Sequence, residues 1–250
     1  MKRAILSASA ALALAALGGC SPAPTGKAAG KQTEAASGWT RPPVIQRVMR
    51  ATTGLIVTGL AEPGARVVLR GASGDAHAAV ADERGRFEIR MGAPAEHLIL
   101  RPETQIGQDA APSPDRLLLV DGGRGPIAIL RAGGATRRLD AAPALGAIDG
   151  DGRQYIASGR TVPGTRALPV STGETSTTVA PAADGAWTLM LPSSRAQPIR
   201  IGARSFVWPD ESPRSGDDLV VEREADGWSI AWVGPEGARQ WTWLPTGPTL

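Results

Sequence analysis

One stretch of this chain is written twice, and the repeat limits the folds that the chain can adopt. Ile56–Met91 reads IVTGLAEPGARVVLRGASGDAHAAVADERGRFEIRM, and its skeleton returns 100 residues later in Ile156–Leu191. The shared positions are Ile56, Gly59, Pro63, Gly64, Arg66 and Gly85, which return as Ile156, Gly159, Pro163, Gly164, Arg166 and Gly185. The 250 residues therefore indicate two copies of one module, each of about 100 residues and long enough to bury a core.

Each copy has the sequence pattern of an antiparallel β-sandwich, in which short apolar segments are separated by turn signals about every eight to twelve residues. Phe87, Ile89 and Met91 alternate with charged residues, which predicts a strand with one buried face. In the first copy we predict strands at Val44–Arg47, Leu55–Gly59, Ala65–Arg70, Ala76–Ala81, Arg86–Met91, Leu98–Arg101, Leu117–Asp121, Ile127–Arg131 and Thr136–Leu139.

The correspondence between the copies continues to their ends with a longer offset. Asp115–Leu119 matches Asp217–Val221 at an offset of 102 residues, which also aligns Leu139 with Trp241. Ile127–Leu130 aligns with Trp228–Ala231 or with the segment one residue later. The two alignments bury opposite strand faces, and the sequence leaves both open. The joint falls at Ala141–Gly146, which predicts domains at 41–141 and 142–250.

The repeated pattern carries a family resemblance. The spacing G-x-x-x-P-G-A-x-V-x-L from Gly59, followed by ADERGRFEI from Ala81, resembles the bacterial Ig-like modules of envelope proteins and the carboxypeptidase regulatory-like domain. The resemblance implies an all-β fold of two tandem Ig-like antiparallel β-sandwiches. In the second copy, Leu168-Pro169 stands where a strand should continue, and we expect an edge strand or a bulge there.

The N-terminus has the features of an export signal. Lys2 and Arg3 precede the apolar run Ala4–Leu17, which is shorter than the ~20 residues of a membrane span. The run ends in Leu17-Gly18-Gly19-Cys20, which resembles the lipobox of bacterial lipoproteins. That resemblance implies cleavage of a signal peptide, 1–19, and acylation of Cys20, the only cysteine of the chain. Several acyl chains would anchor the protein stably to a membrane. The alternative is an ordinary signal peptide with an incidental cysteine.

The segment after the cysteine has the composition of a flexible tether. Residues 20–40 are rich in Pro, Ala, Gly and Thr, and a coil of this length has a reach of roughly 20–25 Å. From Arg41 onward the chain has 27 − 4 = 23 basic and 24 − 1 = 23 acidic residues, hence no net charge. With no basic stripe, nucleic acid is not an expected partner.

Three groups of polar residues have some features of functional sites, and each has a simpler interpretation. His77 and His97 lack the further ligands of a zinc site and are predicted to lie on surface strands. Asp149-Gly150-Asp151-Gly152 lacks the later ligands of a calcium loop and is predicted to be a turn leading into the second copy. The acidic residues Asp217, Asp218, Glu222, Glu224 and Asp226 are predicted to form a solvated strand face rather than a catalytic pair.

The tryptophans distinguish the second copy, which has six of the seven. Trp187 and Trp241 replace Phe87 and Leu139 and are predicted core residues. A predicted hairpin holds the candidate ligand-binding residues Trp228, Trp232, Trp241 and Trp243. If their faces coincide, the four indoles form a row, which if exposed would suit stacking on sugar rings or a partner protein. Burial in the core is the favoured interpretation.

These observations predict a non-catalytic, lipid-anchored envelope protein that acts as a spacer or protein-binding module. Its partners would be the membrane, through the acyl chains on Cys20, and an envelope protein or a cell-wall glycan. The alternative function is carbohydrate or peptidoglycan binding through the tryptophan hairpin. Because Ser21 rather than Asp follows the cysteine, the lipobox resemblance implies an outer-membrane location facing the periplasm. No cofactor or catalytic residue is predicted.

Overall fold

The computed structural model describes residues 40–191, 197–209 and 219–247, and these residues form twenty β-strands. The predicted signal peptide, Cys20, the tether before Thr40, Trp39, Asp217 and Asp218 lie outside the described residues. In the first copy the strands are β1 Val44–Ala51, β2 Gly54–Leu60, β3 Arg66–Gly71, β4 Ala76–Val80, β5 Arg86–Met91, β6 Leu98–Ile106, β7 Asp109–Pro112, β8 Asp115–Leu119, β9 Ile127–Arg131 and β10 Arg137–Arg138.

The second copy contains β11 Leu145–Gly150, β12 Tyr155–Arg160, β13 Leu168–Thr172, β14 Thr175–Val179, β15 Ala186–Leu191, β16 Ile199–Ile201, β17 Arg204–Phe206, β18 Leu219–Glu224, β19 Gly227–Val233 and β20 Arg239–Pro245. Within the described part the one helical element is a 3-10 turn at Val120–Gly123. The strand pairings among the described residues are antiparallel, which confirms the predicted all-β class and the sandwich architecture.

Four sheets are stacked so that three buried layers lie between them. Sheet I has the order β1-β2-β5, and sheet II has the order β10-β9-β8-β6-β3-β4 with β7 paired to β6. Sheet III has the order β15-β12-β11-β20-β19-β18, and sheet IV has the order β14-β13-β16-β17. Sheets I and II enclose the first core, and sheets III and IV enclose the second.

The middle layer joins the two sandwiches. Leu118 and Leu130, on the outer face of sheet II, pack with Ile230, Trp232 and Leu244, on the outer face of sheet III. We call this buried cluster the inter-sandwich core. It covers the face of sheet II that points away from the first core and the face of sheet III that points away from the second core. The two copies are therefore held together by apolar burial, the main favourable term in folding, as well as by the chain.

The last three strands extend the second sheet in the first copy, but they extend the first sheet in the second copy. In the first copy β8 pairs with β6, so that β8, β9 and β10 extend the second sheet of that copy. In the second copy β20 pairs with β11, and Ile148 lies opposite Trp243. The equivalent meander thus extends the first sheet of its copy, and β19 and β20 lie inside a six-stranded sheet.

The structure resolves the alignment that the sequence left open. Ile127 and Ile129 face the first core, whereas Ala128 and Leu130 face the inter-sandwich core. In β19 the residues facing the inter-sandwich core are Trp228, Ile230 and Trp232. Alternation matches Leu130 with Trp232, so the offset of 102 holds through this segment.

Two sequence expectations need correction. Pro169 lies in β13, which is an inner strand between β14 and β16 and not an edge. The pairing with β16 begins only at Val170, so Pro169 has a paired strand on one side only, which accommodates a residue without an N–H donor. Asp149 and Gly150 belong to strand β11 and not to a turn, and the turn begins at Asp151, whose Oδ1 accepts the backbone N–H groups of Arg153 and Gln154.

Candidate functional site

The tryptophan hairpin does not form a single row of indoles. Ala231 lies opposite Trp241 and Ser229 opposite Trp243, whereas Trp228 lies opposite Leu244. Because directly opposed residues share a face, Trp241 and Trp243 point to one side of sheet III and Trp228 and Trp232 to the other.

The environment of each indole follows from the face of sheet III on which it lies. Trp241 and Trp243 are 7% and 1% exposed in the second core, and Trp232 is 2% exposed in the inter-sandwich core. Trp228 is half-buried. The favoured interpretation, burial in the core, is therefore correct for Trp232, Trp241 and Trp243, and also for Trp187. The three buried indoles of the hairpin present no face for stacking on a sugar.

Polar side chains anchor these indoles. Trp241 Nε1 donates to Ser229 Oγ at 2.7 Å, and Trp232 Nε1 donates to Thr242 Oγ1 at 3.3 Å. Both acceptors are themselves buried. Two of the indole donors of the hairpin therefore have fixed acceptors, whereas Trp243 Nε1 is buried without a hydrogen-bond partner among the described residues.

Trp228 lies at the border of the inter-sandwich core, between groups from both copies. The ring of His97 contacts it edge to face at 5.6 Å between centroids, and the Arg223 guanidinium lies 5.0 Å from its centroid. His97 Nδ1 accepts the backbone N–H of Asp121 at 2.9 Å. The prediction of a surface-strand histidine is wrong for His97, which precedes β6 and packs between the copies; His77 does lie on β4.

A buried carboxylate lies close to the same interface. Asp149 accepts the backbone N–H and the hydroxyl of Thr136, at 2.7 and 2.6 Å, and the hydroxyl of Thr242, at 2.8 Å. No arginine contacts it within the described part of the chain. Burial raises the pKa of Asp149 to about 6, against the lowering effect of these hydrogen bonds. Thr136 belongs to the first copy, so this carboxylate links the two copies.

A cleft of about 560 Å³ lies between the copies, and we call it the inter-repeat cleft. One wall is the segment 135–146 that joins the copies, and the other is built from the repeated motif of the second copy at 159–163 and 184–188. Its volume falls in the range of small-molecule sites, which often lie between domains. Three arginines and two aspartates line it: Arg137, Arg138, Arg160, Asp140 and Asp184.

The cleft is lined by residues that the sequence did not predict to form a site. The motif around Pro163 was recognised only as part of the repeat, and the segment at Ala141 only as a joint. The spacing within the repeat brings the two walls together, because Gly159 in β12 pairs with Leu145 in β11 and with Trp187 in β15. A linear motif search cannot find such a site, since its charged residues come from 137–140, Arg160 and Asp184, which are separated by 20 or more positions.

The remaining candidates do not form a site in the described residues. Glu222 and Asp226 are exposed and Glu224 is half-buried, in agreement with a solvated face. Within residues 40–191, 197–209 and 219–247, no three His, Cys, Asp or Glu side chains are grouped as metal ligands would be. The same residues contain no helix with the length and apolar character needed to cross a membrane.

No protein-family model matches this chain, and the comparison with curated proteins gave no match either. The Ig-like resemblance therefore rests on the residues of the repeat alone.

Proposed function

We propose that this protein is an exported, lipid-anchored envelope protein whose folded part serves as a non-catalytic spacer or binding module. The observation that carries the proposal is the segment from Lys2 to Cys20, with its cationic start, apolar run and Leu-Gly-Gly-Cys ending. Acylation also accounts for the single cysteine, which has no disulfide partner in the chain. Ser21 supports the outer membrane, facing the periplasm, as the location.

The packing of the two copies supports the spacer role. Their contact is a buried apolar cluster, reinforced by the hydrogen bonds that Asp149 accepts from Thr136 and by Arg138, which donates to the carbonyl of Pro245 at 3.1 Å. A covered apolar interface resists hinge motion between domains. The two sandwiches would then act as one stiff body, carried by a tether whose reach is roughly 20–25 Å.

The glycan-binding alternative loses the feature that suggested it. It required an exposed row of indoles, and the hairpin distributes its indoles between two buried layers. An envelope protein is therefore the partner class that we propose, with an exposed sheet edge as the means of contact.

Membrane fractionation of cells that express the full chain tests the anchor. We expect wild type in the membrane fraction and Cys20→Ala outside it, with Ser21→Ala as the matched control that keeps the acylated cysteine. Partition of Cys20→Ala with the membrane to the same extent as wild type would contradict the proposal.

Sorting between the two membranes is tested separately with Ser21→Asp. The lipobox resemblance implies that this variant stays in the inner membrane while wild type reaches the outer one. Equal distribution of the two proteins after density-gradient separation would refute the outer-membrane assignment and leave the anchor unaffected.

A further inference from the structure

We propose that the inter-repeat cleft binds a small organic anion, in which a carboxylate or phosphate group is attached to a compact apolar body. This proposal does not depend on the membrane anchor. It rests on the shape of the cleft, on the charges of its walls and on a comparison with the equivalent place in the first copy.

The first step is the balance of charge in the cleft. Arg138 and Asp140 form a closed pair, with Arg138 Nε 2.7 Å from Asp140 Oδ1, and both side chains are largely buried. Asp184 Oδ2 lies 3.4 Å from Arg160 Nη2, and the two side chains form an exposed ion pair. The lining residues carry 3 − 2 = +1 formal charge, and Arg137 is the cation left over. Among the described residues, no carboxylate lies within salt-bridge distance of it.

The second step is the hydrogen-bonding state of Arg137. Its Nη2 donates to the carbonyl of Ile45 at 2.6 Å, which fixes the guanidinium in place. A guanidinium has five N–H donors, so donors remain for a ligand. Burial, and then the nearby Arg160 guanidinium, hold the pKa of Arg137 below its usual value. An oxyanion bound between the two guanidinium groups would stabilise their positive charges against both effects. The planar guanidinium group also matches the geometry of carboxylate and phosphate groups.

The third step concerns the apolar part of the ligand. The rest of the wall consists mainly of small or apolar residues, including Pro143, Val162 and Ala186, next to the buried Trp187. Val162 is 65% exposed, a large apolar side chain at an open surface. Apolar walls with a few polar groups that fix orientation are typical of small-molecule sites.

The fourth step is the comparison with the first copy, in which a hydrogen bond connects the segments equivalent to the two walls of the cleft. There the backbone N–H of Arg41 donates to Glu62 Oε1 at 3.0 Å, which holds the incoming chain to the turn. The second copy has Ala141 and Val162 at these positions, so this contact cannot form, and both residues line the cleft instead. Arg160 also replaces Leu60. The charges of the cleft are therefore not a requirement of the shared fold.

Ligand-observed ¹⁹F NMR on the purified full chain in detergent micelles tests the proposal, with empty micelles as the blank. The probes are 4-fluorobenzoate, its neutral analogue 4-fluorobenzamide and 4-fluorophenyl phosphate. We expect at least one of the two anions to bind, and to bind at least tenfold more tightly than the amide. The tighter anion identifies carboxylate or phosphate as the natural group.

A matched pair of variants locates the binding. Val162→Asp places a negative charge at the cleft, and Val207→Asp places the same charge at a site outside it with 60% exposure. We expect Val162→Asp to weaken anion binding at least tenfold and Val207→Asp to leave it within twofold of wild type. Because both positions are exposed, both variants should fold, which thermal unfolding checks.

Three results would overturn the proposal. They are no binding of either anion at millimolar concentration, equal binding of the amide and the anions, and equal affinities of Val162→Asp and Val207→Asp.

Discussion

Gly59 and Gly159 show why the repeat keeps a glycine inside a strand. A Cβ on Gly159 would collide with the carbonyl oxygen of Ala144 and with the ring of Trp187, and Gly59 has the same relation to Val44 and Phe87. The missing side chain lets an aromatic ring lie directly on the backbone of the neighbouring strand. The two glycines are therefore packing positions and not turns.

The first prediction follows from this close approach. Gly159→Ala should lower the free energy of unfolding by ~1–3 kcal/mol, because the added methyl overpacks a filled site. Gly92→Ala is the control, since a Cβ there meets no atom within 4 Å. Urea titration measures both, and an equal effect of the two substitutions would contradict the packing explanation.

Asp149 provides the second prediction at the residue scale. Its pKa in the folded protein is about 6, above the ordinary value of 3.8, so folding favours the protonated form. The stability that this proton contributes is complete below 3.8 and is lost as pH rises through 6.

Asp149→Asn cannot ionise, so it serves as the reference for this effect. We expect the unfolding free energy of wild type, relative to the variant, to fall between about pH 5 and about pH 7.5. Denaturant titration of both proteins at the two pH values measures the difference, in which contributions common to both proteins cancel. A difference that stays constant would show that Asp149 does not titrate in this range.

At the scale of elements, the tryptophan hairpin is defined by the sheet that it joins. Because β20 pairs with β11, both faces of the hairpin are covered, one by sheet IV and the other by sheet II. The equivalent strands of the first copy pair through β8 with β6. An aromatic hairpin is thus used for internal packing in a sheet covered on both faces.

The third prediction compares the two indoles on the inter-sandwich face. Trp232→Ala should destabilise the protein by ~3–5 kcal/mol, as expected for a fully buried tryptophan. Trp228→Ala should cost clearly less, because this side chain is half-buried at the border of the cluster. Equal losses of unfolding free energy, measured by chemical denaturation, would mean that Trp228 is shielded from water as fully as Trp232.

The sequence was most informative where the pattern is local. The predicted strands at Arg86–Met91 and Ile127–Arg131 have the observed bounds, since alternation and turn residues determine both. Strand β7 was missed because Asp109–Pro112 lacks an apolar alternation. Strand β11 was missed because its small residues resemble a linker.

What the sequence did not predict depends on contacts between distant segments. The faces of Trp228 and Trp241 depend on a one-residue register and on which sheet β20 joins, and neither is encoded locally. The inter-repeat cleft likewise depends on how Arg137 and Arg160 meet across the joint. The continuous apolar runs at Leu117–Val120 and Ile127–Leu130 did contain a signal, since such runs are typical of strands covered on both faces.

At the scale of the whole molecule, the described residues, which begin at Thr40, form one compact unit. The fourth prediction is that the two sandwiches unfold together, because they share the inter-sandwich core and the Thr136–Asp149 hydrogen bonds. Calorimetry of wild type should give one transition, with a calorimetric enthalpy equal to the van't Hoff enthalpy. Two separated transitions would contradict a shared core.

The central functional claim is that Cys20 anchors this double sandwich to a membrane. Intact-mass spectrometry of the membrane-extracted protein, wild type beside Cys20→Ala, tests it most directly. We expect wild type to begin at Cys20 and to carry the added mass of acyl chains, and the variant to lack that mass. A wild-type chain without acyl mass, cleaved or not, would contradict the account.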